Sequence, residues 1–324
     1  MSVRVPPKIS GLPGESVTIN QMSDNLVECV PNFSEGRNPA VIDAIVHAIR
    51  NTGALLLDRT SDSDHNRSVV TFAAPAAVVE QAALAAVREA QASIDLRTQD
   101  GVHPRIGAAD VVPFVPLENI TLEECAQIAR RAGRRIWEEL RIPVYLYEAA
   151  ALRPECRNLA DIRRGNWEKL RDEVLTNPAR RPDFGGPALH PSAGASVVGA
   201  RRFLIAFNVN LATPDVAIAQ RIARKIRTAN GGLPALKAMG VLLASRNLAQ
   251  VSMNLTDFEQ TSPLAAFEAV RSEAARDGIA VAGSELIGLI PQKALAGTSA
   301  GHLQIENFTP SAILENRLAA ARVQ

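Results

Sequence analysis

The stretch "LVECVPNFSEGRNPAVIDAIVHAIRNTGALLLDRT", residues 26–60, changes its hydrophobic period twice. "LVECVPNF" and "ALLLDRT" are short apolar runs of the strand type, and the segment between them is an amphipathic helix. Asn38 supplies an N-cap, and Pro39 stands at the first helical position, where a missing N–H does no harm. Residues 26–60 therefore predict β–α–β. "NRSVVTFAA" follows as a strand, "PAAVVEQAALAAVREAQASI" as a helix and "AADVVPFVP" as a buried strand, giving βαββαβ. A Thr-x-x-Glu capping box opens one more helix, "TLEECAQIARRAGRRIWEEL", which leads to the strand "PVYLY".

The order recurs further on. "RFLIAFNVNL" reads as a strand, "TPDVAIAQRIARKIRTA" as a helix capped by Thr213 with Pro214, "LKAMGVLLA" and "NLAQVSMNL" as strands, and "SPLAAFEAVRSEAARDG" as a helix. "VPNFSEG" and "FNVNL" each end a first strand with Asn, while "NRSVVTF" and "NLAQVSMN" open a third strand alike. This is an internal repeat with its boundary near residue 179. The predicted fold class is α/β (α+β): two similar βαββαβ subdomains, facing mixed sheets, and helices on the outer faces. Residues 1–24 form a loose Pro/Gly/Ser leader, 25–179 the first subdomain and 180–324 the second. Residues 151–180 are polar and Arg-rich. Residues 180–201 are crowded with Gly and Pro, as in a linker or binding loop. A cleft between two facing sheets suits a flat ligand.

Composition narrows the classes. Lys+Arg of 35 against Asp+Glu of 34, with 47% hydrophobic residues in 324, describes an ordinary globular protein with no demand for nucleic acid or an anionic membrane. Cys29, Cys125 and Cys156 have no CxxC or Cys/His spacing, which argues against a disulfide framework or structural zinc and for a cytoplasmic setting. No signal peptide or membrane span is evident. GxGxxG, GxxxxGK[ST] and HExxH are all absent from the sequence.

Among five histidines, His103 has the best claim to chemistry. Gly101 permits a turn before it and Pro104 holds it out of the α region, so the imidazole sits on a stiff mount before a strand. Asp100, Arg105 and Asp110 are near in sequence, with Asp110 either an orienting acid or a structural partner. An unperturbed His is available as base and acid near neutrality. His65, among Asp58, Asn66 and Arg67, ranks second. His47 lies in a helix, and His302 carries no further signal. Asn32, Asn208, Asn210 and Asn254 at strand ends offer the donors and acceptors that an amide or pterin edge requires, although turn formation explains any one of them. Arg163, Arg164, Arg180, Arg181, Arg201 and Arg202 flank the Gly/Pro-rich loop and could hold carboxylates.

The strings "LVECVPNFSEGR", "DHNRSVVTF", "HPRIGAADVVPFVP", "PVYLYEAAA", "GARRFLIAFNVNL" and "NLAQVSMNLTDFE" resemble the glutamate formiminotransferase family, the N-terminal half of formiminotransferase-cyclodeaminase, from about Leu26 to Leu295. The resemblance implies two α/β subdomains around a folate tunnel. It implies transfer of a formimino group between N-formimino-L-glutamate and N5 of tetrahydrofolate (a polyglutamate cosubstrate) in histidine breakdown, without a metal and as a homodimer. The family's catalytic His-Pro-Arg is His103 to Arg105 here. Its folate-binding segment corresponds to Gly185–Gly194, including Gly186, Pro187, His190 and Pro191. Arg105, with Arg202 behind it, is the first choice for a substrate carboxylate. The cyclodeaminase step would fall to another protein. Mammalian relatives carry an acid where this chain has Thr60, with Asp62 and Asp64 nearby. The alternatives are a formyl donor, N-formylglutamate or 5-formyltetrahydrofolate, on the same fold, and a folate-binding protein without catalysis.

Overall fold

A computed structural model of the chain describes residues 25–63, 65–101, 104–244 and 246–323. The leader expected over residues 1–24 lies outside them, as do Asp64, Val102, His103 and Ser245. The described residues form eleven strands and eight helices in two sheets.

In the first unit β1 (Leu26–Cys29) and β2 (Asn32–Phe33) lead to α1 (Pro39–Arg50), β3 (Leu55–Asp62), β4 (Arg67–Pro75), α2 (Ala76–Ser93) and β5 (Ala109–Glu118). The expected single first strand is broken where Pro31 has no N–H to give the ladder, while β1 and β2 both pair with β4 and β5. The second unit runs β8 (Ile205–Leu211), α6 (Val216–Ile226), β9 (Leu236–Leu243), β10 (Leu248–Leu255), α7 (Pro263–Ala275) and β11 (Val281–Ile287). Its sheet order is β11–β8–β10–β9, the order in which β5, β1/β2, β4 and β3 lie in the first sheet. Both units are therefore split βαββαβ folds. The repeat extends to register: Asn32 pairs with Val69 and Val111, and Asn210 with Gln250 and Gly283. Asn66 and Asn247, three residues before Val69 and Gln250, both turn left-handed in their hairpins, with φ 48° and 52°.

Between the units come α3 (Leu122–Leu140), β6 (Val144–Glu148), α4 (Leu159–Ile162), α5 (Asn166–Thr176) and β7 (Ser196–Ala200). β7 hydrogen-bonds in parallel to both β5 and β6, so the first sheet is mixed, whereas the second is antiparallel throughout. Residue 179 is thus not where the first sheet ends, since "SVVGA", residues 196–200, belongs to it. Five residues between Gly/Pro turns were too short a run to separate from the loop.

Caps fall largely as expected. Asn38 accepts from Ala40 N–H, and Thr121 and Glu124 complete their capping box. α6 is capped by Asp215 rather than Thr213, which instead accepts from Asp215 N–H. Core side chains of α1, α2 and α3 cover one face of the first sheet, and α6 and α7 cover one face of the second. The opposite face of the first sheet is not bare. Ile162, Leu170 and Val174 pack on Val111, Tyr145 and Val197 at one flank. Leu314 and Leu318 of α8 (Leu314–Ala321) pack on Leu26, Leu57 and Ala73 at the other. α8 thereby joins the end of the second unit to the first, Lys237–Glu148 at 4.0 Å adds an ion pair between them, and Arg202–Asp257 at 3.3 Å ties the link before β8 to the second unit.

Candidate active site

His103 lies outside the described residues, but the chain on either side of it is fixed. Upstream, Asn66 donates from Nδ2 to the Asp100 carbonyl (2.7 Å) and accepts from Gly36 N–H (2.9 Å). Gly101 approaches the His65 carbonyl so closely that a Cβ there would sit 2.5 Å from it. Downstream, all three guanidinium nitrogens of the buried Arg105 have protein partners. Nη2 donates to the Gln99 carbonyl (2.7 Å), Nε to the Gln99 side chain, and Nη1 faces Glu168 at 3.0 Å. Its carbonyl accepts from Trp167 N–H at 2.8 Å. Arg105 therefore braces the loop against α5.

Asp110 is 2% exposed and uses both oxygens on protein: Oδ1 accepts from Ile106 N–H at 2.8 Å and Oδ2 pairs with Arg163. This is the structural role weighed for it above, with the loop backbone rather than a histidine as the partner seen. Arg67 donates to Asn32 Oδ1, and Asn32 donates to the Val30 carbonyl (2.8 Å). Burial, then the nearby Arg163 cation, lowers the Arg67 pKa to about 10, with Asp110 opposing. Ser34, His65, Arg67, Arg105 and Asp110 line one small cavity at this strand end. The structure thus brings Asn32, Arg67, Arg105, Asp110 and Arg163 together beside the His-Pro-Arg loop. His65 pairs with Asp62 at 3.0 Å, and Thr60 lies on the same sheet row as Asn32. Asp58 is half-buried, its pKa raised by burial and offset in part by Arg317 of α8.

The Gly185–Gly194 segment has two parts. Gly185 takes φ +82° against the Trp137 ring, where a Cβ would meet ring atoms at 2.5 Å, while Gly186, Pro187 and Pro191 are exposed. At the other end Ala195 N–H bonds the Ile106 carbonyl and Ala108 N–H the Ala193 carbonyl, both at 2.9 Å, and Gly107 bridges Gly194. Among the described residues, this is the end hydrogen-bonded to the chain that follows Arg105. His190 closes the turn: its Nδ1 accepts from Ala193 N–H (3.0 Å) and Ser192 N–H (3.3 Å), and burial lowers its pKa. A ring nitrogen so used is unprotonated.

The helix-free face of the second sheet is polar. Asn210 donates to Glu285 (3.1 Å) and accepts from Gln250 (2.8 Å), and Arg246 bridges Glu285 and Glu306 at 2.9 Å each. Asn208 accepts from Met253 N–H (3.2 Å), and Asn254 is exposed. Gln250 and Glu285 were missed in the sequence, although a polar residue alternating with Val251 and Met253 marks such a face. Arg180 is spent on the carbonyls of Asp161, Ile162 and Arg164. Among the described residues no cluster of three His, Cys, Asp or Glu could hold a metal ion, and no helix is long and apolar enough to cross a membrane.

A family model for the formiminotransferase domain, N-terminal subdomain, matches residues 26–201, and one for the formiminotransferase domain matches residues 206–321. The chain belongs to the formiminotransferase family. The two formiminotransferase matches part between β7 and β8, as the sheets do. The chain is 47% identical over 295 residues to a glutamate formimidoyltransferase of Streptococcus pyogenes serotype M1, covering 90% of this chain and 98% of that protein. It is 45% identical to one of Thermoplasma acidophilum, covering 92% and 98%. A formimidoyltransferase-cyclodeaminase of Rattus norvegicus is 46% identical over 87% of this chain and 53% of its own length.

Proposed function

We infer that this chain is a glutamate formimidoyltransferase, moving a formimino group between N-formimino-L-glutamate and N5 of tetrahydrofolate in histidine degradation. The observation that carries this reading is the match along both halves to relatives of that name, at 45–47% identity and 98% of their length. The site chemistry agrees with it. N5 adds to the amidine carbon and sheds a proton, and the departing glutamate nitrogen gains one. His103 accepts the first proton and returns it to the second. Asp110 acts at one remove, tethering Ile106 so that the loop keeps its shape.

Arg163 is the better candidate for a substrate carboxylate than Arg105. Its Nε is buried and has no hydrogen-bond partner among the described residues, whereas every nitrogen of Arg105 is engaged. The amides and carboxylates of the two sheet faces suit the pterin edge of a folate. Ala193–Gly194, which adjoin the His-Pro-Arg loop, are the part of the glycine-rich segment set to touch folate. Three buried free cysteines fit a cytoplasmic enzyme, and we place it there as a homodimer.

The test compares N-formimino-L-glutamate with N-formyl-L-glutamate as donors to tetrahydrofolate, using wild type and His103→Ala. Transfer from the formimino donor, reduced roughly 10²–10⁴-fold in the variant, is expected. Wild-type turnover in His103→Ala removes the base assignment, and preference for the formyl donor replaces the activity.

A further inference from the structure

Strand β1 reads Leu-Val-Glu-Cys, and its alternation sends Val27 and Cys29 into the helix-covered core while Leu26 and Glu28 face the other way. Glu28 is 2% exposed, and no side-chain hydrogen bond or ion pair is formed by it among the described residues. Its cross-strand neighbours are Ala73 and Val115. A carboxyl group in the middle of a sheet with no protein partner keeps its acceptor oxygens free for the donors of a ligand.

We propose that the Glu28 carboxylate receives the 2-amino and N3–H donors of the tetrahydrofolate pterin, an inference that rests on the folate reading above. Two adjacent N–H groups on a planar edge match the two oxygens of a carboxylate as a guanidinium fork does. On one side the apolar Val115 suits the face of a flat ring, while on the other Ala73 lies under α8 and closes the strand end. Glutamate carboxylates are repelled there. Glu28 pairs with Val115 and Asn32 with Val111, four residues apart on β5, or about 13 Å along the strand. A pterin held by its amino edge at Glu28 thus extends toward the row beside the His-Pro-Arg loop. Burial raises the Glu28 pKa to about 7, with Arg201 opposing. Cys29, next to it on β1, is a titratable neighbour with its pKa raised by burial and by Glu28, and Arg317 of α8 acts on Asp58 rather than on Glu28.

The experiment measures anaerobic binding of tetrahydrofolate and of its 2-desamino analogue to wild type and Glu28→Gln, together with KM for N-formimino-L-glutamate. Wild type should prefer tetrahydrofolate by roughly 10–100-fold, with affinity rising as pH passes 7. In Glu28→Gln the preference should shrink below about threefold and lose its pH dependence, with the donor KM within about threefold of wild type. Should the Gln variant not fold, Glu28→Asp serves, with a weaker preference that keeps its pH dependence. Undiminished preference in a folded variant overturns the assignment. A wild type that binds no tetrahydrofolate overturns the folate reading itself, and this inference with it.

Discussion

Replacing Asp110 by Ala removes one side chain and leaves two groups stranded. The Ile106 N–H loses a charge-assisted acceptor at 2.8 Å, worth about 1.5–3 kcal/mol. The Arg163 guanidinium, only 11% exposed, loses the carboxylate that balances it, and breaking one side of a buried pair costs about 3–5 kcal/mol. The two losses overlap because one side chain serves both, so about 4 kcal/mol is expected, roughly a thousandfold in the folded-to-unfolded ratio. Asp110→Asn keeps an oxygen for Ile106 and should lose about half of that. Urea unfolding of Asp110→Ala, Arg163→Met and the double variant is the assay. In the double variant no uncompensated cation remains, so its loss should fall well short of the sum of the singles. Additive losses, or an Asp110→Ala protein within 1 kcal/mol of wild type, would refute the idea that this pair anchors the loop.

Other outcomes follow from the same geometry. A folded Glu28 keeps its proton up to about pH 7 while the unfolded side chain releases it near 4.5, so stability falls as pH rises between those values. Glu28→Gln should therefore exceed wild type by about 3 kcal/mol at pH 8 and match it below pH 4.5, as read by thermal unfolding. For His190 the sign is the reverse of a paired histidine. Its lowered pKa favours the neutral form, so its contribution is present above pH 6.5 and fades as pH falls below it. His190→Ala should lose about 1–3 kcal/mol while kcat stays within a few-fold, and a collapse of kcat alone would contradict a turn-closing role. Gly107→Ala would place a Cβ 2.1 Å from the Ala195 carbonyl, so it should split the seam between the two loops and raise the tetrahydrofolate KM. Unchanged folate kinetics would show that the seam is not needed.

The fold was legible because its decisive signals are local. Asn38–Pro39 marks a helix start and Thr121–Glu124 a capping box, and the echo of Asn32 in Asn210 survives as identical sheet register. What escaped depends on tertiary placement. Nothing in "SVVGA" says that it joins the first sheet between β5 and β6. The helices α4 and α5 carry too few apolar residues to announce that they cover a sheet flank. At the site, sequence proximity drew Arg105 to the substrate, whereas folding brought Gln99 and Glu168 onto its nitrogens and left Arg163 with an unused one. Glu28 was hidden because its neighbours in sequence are apolar, and only the strand's alternation shows that it faces away from the core.

The most direct test of the account is acid quenching of a mixture of this protein, tetrahydrofolate and N-formimino-L-glutamate, followed by detection of the methenyl-folate chromophore. The account predicts enzyme-dependent chromophore that requires the formimino donor. Tetrahydrofolate binding without any chromophore from that donor would contradict it.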